Sequence, residues 1–254
     1  MEVHHHSHTA DPDSHRGRKK WTHYFWEFFM LFLAVTLGFF VENQREHLVE
    51  HQREKQYMRS MVEDLKSDTA ALSRIIRLRT NRIKIHDSLS FLLTEPVDMA
   101  FLSDLYYLSA LCRRTALLRF INNDRTIQQL KNSGGLRLIR KQNVSDSIAL
   151  YDSYVKRLEQ IEERERESIR DMISYTYKIF DGRIYYTMLD ETDRVYRPPG
   201  NPALLKYTKE DMNAFISALF SVKSINIAYR NFSRGAYYKA ANLLKTIEEE
   251  YHLK

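Results

Sequence analysis

An apolar stretch near the start of the chain constrains its fold more than any other feature. The stretch runs from Trp21 to Val41, and its only charged residue is Glu27. A helix over it would be about 31 Å long, close to the hydrocarbon thickness of a bilayer. It is apolar on every face, and Tyr24 and Trp26 join Trp21 at one end, as interfacial aromatic residues do. We therefore expect one transmembrane helix over 21–41.

The flanks of this stretch predict a retained signal-anchor with its N-terminus inside. No small-residue cleavage site is present, and the polar sequence Glu42-Asn43-Gln44-Arg45 follows directly. Arg16 and Arg18–Lys20 lie within five residues of the start, whereas only Arg45 lies that close to the other end. By the positive-inside rule, the chain would be a single-pass protein of the bacterial inner membrane, with a cytoplasmic N-terminus and a periplasmic C-terminal domain.

Three residues of the apolar stretch are candidate contacts with a partner's membrane helix. Glu27 follows His23 by one turn and Lys20 by two, so it either pairs with these cations at headgroup depth or contacts another helix. Ala34 and Gly38 have the small-xxx-small spacing that permits close helix approach. This spacing is compatible with a homodimer.

Histidines supply the weak candidates for metal binding. Residues 1–20 are predicted as a disordered, basic, His-rich tail, and residues 42–57 as a charged helical stalk. In the stalk, His47-Leu-Val-Glu50-His51 matches the H-x-x-E-H pattern, but a catalytic zinc also needs a third ligand and a shielded pocket. We therefore predict no metal site and no cofactor, and note as weak candidates only His4, His5, His6, His8, His47 and His51.

The rest of the chain, 58–254, predicts an all-α fold. The sequence has seven glycines and five prolines, too few for the turns of a sandwich or barrel. Apolar residues recur at helical spacing from Met58 to about Leu93, and again from about Val144 to Phe180. Shorter helices are expected after Asp98, over 124–131, over 208–220 behind a Thr208–Asp211 capping box, and over 224–250, with an extended loop at 183–207. Together these predict an irregular antiparallel helical bundle.

Apart from the H-x-x-E-H match in the stalk, the sequence offers little that points to catalysis. It has no Walker loop, no G-x-S-x-G elbow and no dinucleotide fingerprint. Cys112 is the only cysteine and is expected to be a small core residue. The formal net charge is +6, but bases alternate with acids in runs such as 159–167, which is typical of a solvated helix face. We predict neither an enzyme nor a nucleic-acid-binding protein.

Several segments resemble a family of uncharacterised bacterial proteins. They are the His-rich start, the sequence RKKWTHYFWEF at 18–28, ENQREH at 42–47, and QLKNSGGLRLIR at 129–140. The resemblance implies one membrane span and a helical domain of unknown function that covers most of the chain. It implies no activity, ligand or catalytic residue.

These observations leave two functional hypotheses. The first is a non-enzymatic membrane-anchored scaffold or accessory subunit whose helical domain binds another envelope protein. The alternative is a membrane-anchored sensor or regulator whose extracytoplasmic domain detects a ligand or the state of the envelope. An exposed apolar surface would favour the scaffold, and a closed apolar pocket would favour the sensor.

Overall fold

The predicted all-α fold is confirmed by a computed structural model. It describes residues 16–93, 97–114 and 118–253, with side chains from residue 21 onward. Within these ranges there is no β-strand, only an isolated bridge between Leu189 and Val195. The α-helices are α1 (Arg16–Leu92), α2 (Leu102–Arg113), α3 (Arg125–Asn132), α4 (Gln142–Ile179), α5 (Gly182–Thr187) and α6 (Lys209–Tyr251).

The chain divides into two compact units, Met1–Arg53 and Glu54–Lys254. The second unit, here called the bundle, begins four residues before the boundary predicted at 58. Glu54, which the sequence places in the stalk, is buried within it. Helix α1 contributes to both units, as expected for a stretch that contains no proline and only two glycines, Gly17 and Gly38.

Three long helices form the bundle: α4, α6 and the part of α1 that begins at Glu54. Helix α6 is antiparallel to α4, because ion pairs join Lys141 to Glu250 and Lys178 to Asp211, each at 2.9 Å. It is antiparallel to α1 as well, since Lys66 reaches Glu248 and Lys223 pairs with Asp87. Helices α1 and α4 therefore run parallel, and the chain must return along the bundle between them.

This return path holds the shorter elements. Asp98 accepts a hydrogen bond from the Ala100 backbone N–H and starts a 3-10 turn, Met99–Phe101, which leads into α2. Residues 118–123 have no regular secondary structure, α3 follows, and a second 3-10 turn, Gly135–Leu138, precedes α4. Gly134 has φ of 67°, the left-handed conformation that glycine adopts without steric cost. The break predicted at 132–135 is therefore present.

Two sequence predictions need correction. Helix α6 is continuous over Lys209–Tyr251, whereas we expected separate helices over 208–220 and 224–250. The capping box of Thr208 and Asp211 is present. The helix is not broken between the two predicted helices, where the Ser221 hydroxyl donates to the carbonyl of Ser217. Part of the predicted loop is also helical, because Asp181 caps α5.

Two apolar clusters fill the interior of the bundle. One contains Met58, Leu65, Leu72 and apolar residues of α3, the first half of α4 and the second half of α6. The other lies toward the opposite end, around Leu89, α2 and Phe180. Between them α1 contributes Arg79, Arg82 and His86, all buried. A polar layer thus interrupts the core.

Helices α4 and α6 are in close contact at Gly235. A Cβ built there would lie 2.5 Å from Cε1 of Tyr154, so only glycine fits against this ring in its present position. Tyr154 also packs on Phe232, with ring centroids 6.3 Å apart. Gly235 therefore lies within a helix for a packing reason, although glycine lowers helix propensity.

Candidate functional site

The helix over Trp21–Val41 is long and apolar enough to cross a membrane. Nearly all of its side chains are exposed, including the large aromatic residues on every side. Neighbouring rings contact only one another, as Trp26 does with Phe29 at 5.8 Å. A soluble protein rarely exposes an apolar surface of this size, which is therefore the first candidate site.

Glu27 lies beside His23, with 3.5 Å between its Oε1 and the histidine Nε2. The one-turn spacing in the sequence predicts this pair. The side chain of Lys20, the other expected cation, lies outside the described residues. A contact between Glu27 and another membrane helix stays a prediction.

Ala34 and Gly38 lie on an open surface of the same helix. A Cβ built at Gly38 would meet no atom within 4 Å, and both residues are exposed. This surface could accept a second helix at short range. Nothing in the described residues covers it, so the proposed contact stays a prediction.

The H-x-x-E-H residues are exposed on α1. His47 Nδ1 lies 3.9 Å from a carboxylate oxygen of Glu50, and His51 is one turn further along. Among residues 21–93, 97–114 and 118–253, no three His, Cys, Asp or Glu side chains are arranged to hold a metal ion. The other weak candidates, His4, His5, His6 and His8, lie outside the described residues.

Within the bundle, α1 buries charged side chains, and these contact the returning chain in order. Toward the far end of α1, Arg82 donates to the carbonyls of Cys112 and Arg114, which end α2. Arg79 Nε donates to the carbonyl of Leu118 at 3.2 Å. Three acids of α1 then accept backbone N–H groups: Asp68 from Asn123, Asp64 from Thr126 and Glu54 from Arg140. We call these five residues of α1 the polar ladder.

The sign of each charge in the polar ladder matches the backbone group that it meets. The two arginines donate to carbonyl groups of the returning chain, and the three carboxylates accept hydrogen bonds from its N–H groups. A buried backbone group without a partner costs roughly as much as a lost hydrogen bond. The ladder therefore supplies hydrogen bonds that the irregular parts of the returning chain cannot make with themselves.

Arg79 is the most completely bound member of the ladder. Its guanidinium makes a bidentate ion pair with Glu165 of α4 and donates to Oδ1 of Asn226 on α6 at 2.8 Å. The same group lies over the ring of Tyr229, 3.9 Å from its centroid. One side chain of α1 thus joins all three long helices and the returning segment.

The acids of the ladder also bind side chains. Tyr151 donates to Asp68 at 2.6 Å, and Tyr251 donates to Glu54 at 2.5 Å. Burial raises the pKa of Asp68, and hydrogen bonds from Tyr151 and Asn123 oppose that rise. These carboxylates are therefore occupied by hydrogen bonds within the bundle.

His86 is the exception in the polar layer. It is fully buried, and neither ring nitrogen has a hydrogen-bond partner within the described residues. Burial lowers its pKa to about 3, with a further contribution from the nearby positive charge of Arg82; Asp87 and Lys223 are the other charged groups that act on it. His86 is therefore neutral at physiological pH.

Cys112 is buried in the second apolar cluster, as predicted. Burial raises the pKa of its thiol to about 12, so the thiolate that reacts with electrophiles does not form. Its functional contribution here is the backbone carbonyl that Arg82 binds.

The polar ladder was not predicted from the sequence. A signal was present, because Asp64, Asp68, Arg79 and Arg82 fall at helical spacing among the apolar residues that predicted the buried face of α1. Charges on such a face must be paired when they are buried. Their partners could not be identified, since most are backbone groups far away in the chain.

Two surface grooves lie on the bundle. The larger, of about 470 Å³, is lined by Lys55, Arg59, Lys66 and nearby residues, including two acids, Glu63 and Glu248. The smaller, of about 270 Å³, lies between α1 and α6 and contains no acid. Its lining residues are Ser73, Ile76, Arg77, Arg234, Tyr237 and Tyr238.

The chain has no significant match among protein-family models, curated proteins or solved structures. The residues of the chain itself are therefore the basis for its proposed function.

A first prediction concerns the Arg79–Glu165 pair. The variant E165L leaves the Arg79 charge buried without its carboxylate and is expected to lower the free energy of unfolding by about 3–5 kcal/mol. The double variant R79M/E165L removes both charges and should be less destabilised than the sum of the single variants. Urea denaturation of the detergent-solubilised chain, followed by circular dichroism, measures both.

The exposed Glu167 of α4 provides the control, since E167L should leave the unfolding midpoint unchanged. Strict additivity of R79M and E165L would contradict the proposed coupling.

A second prediction concerns His86. As the pH falls from about 6.5 toward 3, the unfolded chain binds a proton that the folded chain excludes, so stability falls by up to ~1.4 kcal/mol per pH unit. Stability from this group is thus present above pH 6.5 and lost on acidification. The variant H86L should lose less stability than the wild type between pH 7 and pH 5, measured by urea denaturation.

The buried Leu89 has no ionisable group and provides the control, because L89M should keep the pH dependence of the wild type. An H86L variant with the wild-type slope would show that His86 is protonated in the folded chain.

Proposed function

We propose that this chain is a non-enzymatic scaffold or accessory subunit, anchored in the bacterial inner membrane by Trp21–Val41. The bundle binds another envelope protein. The observation that carries this proposal is the apolar helix, whose side chains are exposed on every side within its own unit. Hydrocarbon or another membrane helix is the environment in which such a surface is stable.

The proposed topology has the N-terminus in the cytoplasm and the bundle in the periplasm. Its support is the charge difference across the apolar helix, with Arg16 and Arg18–Lys20 on one side and only Arg45 equally close on the other. The aromatic residues Trp21, Tyr24 and Trp26 would then lie at the cytoplasmic interface.

A scaffold is favoured over an enzyme by how the bundle uses its ionisable groups. The ladder carboxylates bind backbone N–H groups, Glu165 binds Arg79, and the thiol of Cys112 is buried. Catalytic acids and bases are usually found in clefts with access to substrate. Here the ladder carboxylates and Glu165 are buried in the bundle, where they stabilise the fold.

Binding of a protein partner is supported by apolar side chains that the bundle leaves exposed. Phe220 on α6 is 71% exposed and Phe91 on α1 is 76% exposed. Both lie about one turn from the Asp87–Lys223 ion pair that joins the two helices. Single exposed apolar residues are common, but two exposed aromatic residues close to one ion pair between two helices suit a protein interface.

This proposal predicts that another protein is recovered with the chain from native membranes. Full-length chain would be crosslinked in membranes, solubilised in detergent and captured, and the captured proteins identified by mass spectrometry. We expect one envelope protein at near-stoichiometric yield. Recovery of this chain alone would refute the accessory-subunit function.

The variant A34I/G38I separates the two candidate interfaces. Bulky side chains there prevent close approach of a second membrane helix. If the bundle carries the interaction, capture of the partner persists in this variant. Loss of the partner would instead assign binding to the membrane helix.

A further inference from the structure

One face of the bundle, formed by α1 and α6, is free of acidic residues over a long distance. Residues 69–86 of α1 contain no Asp or Glu, and neither do residues 212–247 of α6. The basic residues in these two stretches are Arg74, Arg77, Arg79, Arg82 and Lys84 on α1, and Lys223, Arg230, Arg234, Lys239 and Lys245 on α6. In other stretches, such as 159–167 of α4, bases alternate with acids.

Only part of this positive charge is neutralised within the bundle. Arg79 pairs with Glu165, Lys223 pairs with Asp87, and Lys245 lies 3.7 Å from Glu249. Arg77 and Arg234, both exposed, form no ion pair with a described carboxylate. The guanidinium of Arg77 donates to the hydroxyl of Ser73 at 3.1 Å.

These two arginines line the smaller groove, and the surface between them is apolar. Ile76 and Tyr237 are partly buried there, while Tyr238 is 64% exposed. The two tyrosine rings meet edge to face, with centroids 5.8 Å apart. The groove thus combines two arginine side chains with an aliphatic and aromatic lining, and it contains no acid.

We propose that this groove binds an acidic, amphipathic helical segment of the partner protein. Such a helix would place its apolar residues against Ile76 and Tyr237 and its carboxylates beside Arg77 and Arg234. The acid-free stretch of α1 is about 26 Å long, which suits a helix of similar length. The inference rests on the proposed scaffold function and adds the chemistry of the partner.

The charges of the larger groove are already compensated within the bundle. There Lys66 lies 3.7 Å from Glu63 and 3.9 Å from Glu248, so acids of the bundle already compensate its charge. A nucleic acid or a lipid headgroup would use the two arginines through phosphate alone and would leave the apolar lining without a contact. A segment with both carboxylates and apolar side chains uses both features.

The first test uses purified full-length chain in detergent and a synthetic helical peptide of about 18 residues. The peptide carries leucine at i, i+3, i+4 and i+7 with glutamate elsewhere, and a fluorophore reports binding. We expect the variant R77Q/R234Q to bind it about tenfold more weakly or worse, a loss of ~1.4 kcal/mol. A matched variant on α4, R164Q/R170Q, loses the same charge from exposed arginines and should bind like the wild type.

Two further probes define the chemistry. A peptide with glutamine in place of glutamate, and a glutamate-rich peptide without leucine, should each bind at least tenfold more weakly than the acidic amphipathic peptide. Equal binding of R77Q/R234Q and R164Q/R170Q would overturn the proposal. So would tighter binding of single-stranded DNA, or of vesicles with anionic headgroups, than of the peptide.

The second test locates the contact in native membranes. A photo-crosslinking amino acid would replace Tyr238 at the groove, or Tyr177, which is exposed on α4, as the control. We expect Tyr238 to crosslink to a segment of another protein that is rich in acidic and apolar residues, and R77Q/R234Q to abolish that product. If Tyr177 but not Tyr238 crosslinks to a protein, the proposed binding in the groove is wrong and the scaffold function is not. If neither position crosslinks to a protein, the result contradicts both the groove proposal and the scaffold function.

Discussion

The bundle depends on the hydrogen bonds between the buried charges of α1 and the chain that returns beside it. Because α1 and α4 are parallel, the chain must cross the length of the bundle between them, partly without regular structure. Its backbone groups are satisfied by Arg82, Arg79, Asp68, Asp64 and Glu54, in that order. A helix of only apolar residues on this face would leave those groups without partners, so the topology requires the charges.

Arg79 has the largest share of this role. Its bidentate pair with Glu165, its bond to Asn226 and its position over Tyr229 fix the register of three helices at one level. The same layer divides the core into two apolar clusters. On the outer face of α1 and α6, Arg77 and Arg234 form no ion pair with a described carboxylate, and this is where we place the partner's acidic helix.

The sequence predicted the helical class, the apolar helix, the Thr208–Asp211 cap, the break at Gly134 and the burial of Cys112, because each depends on local spacing or propensity. The predictions from the sequence were wrong or incomplete where long-range packing determines the structure. Helix α6 continues through Ser221 and Ser224 because Val222 and Asn226 are buried against the other helices. The polar ladder and the arginine-lined groove depend on residues far apart in sequence, so no local pattern identifies their partners.

We propose that the apolar helix and the bundle form an anchored binding module whose binding surface lies outside the cytoplasm. Protease treatment of spheroplasts tests this claim most directly. We predict that an added protease degrades the bundle in intact spheroplasts, while a cytoplasmic marker stays protected, and that the residual anchor stays with the membrane after alkaline carbonate washing. Protection of the bundle until detergent is added, or release of the chain by carbonate, would contradict the account.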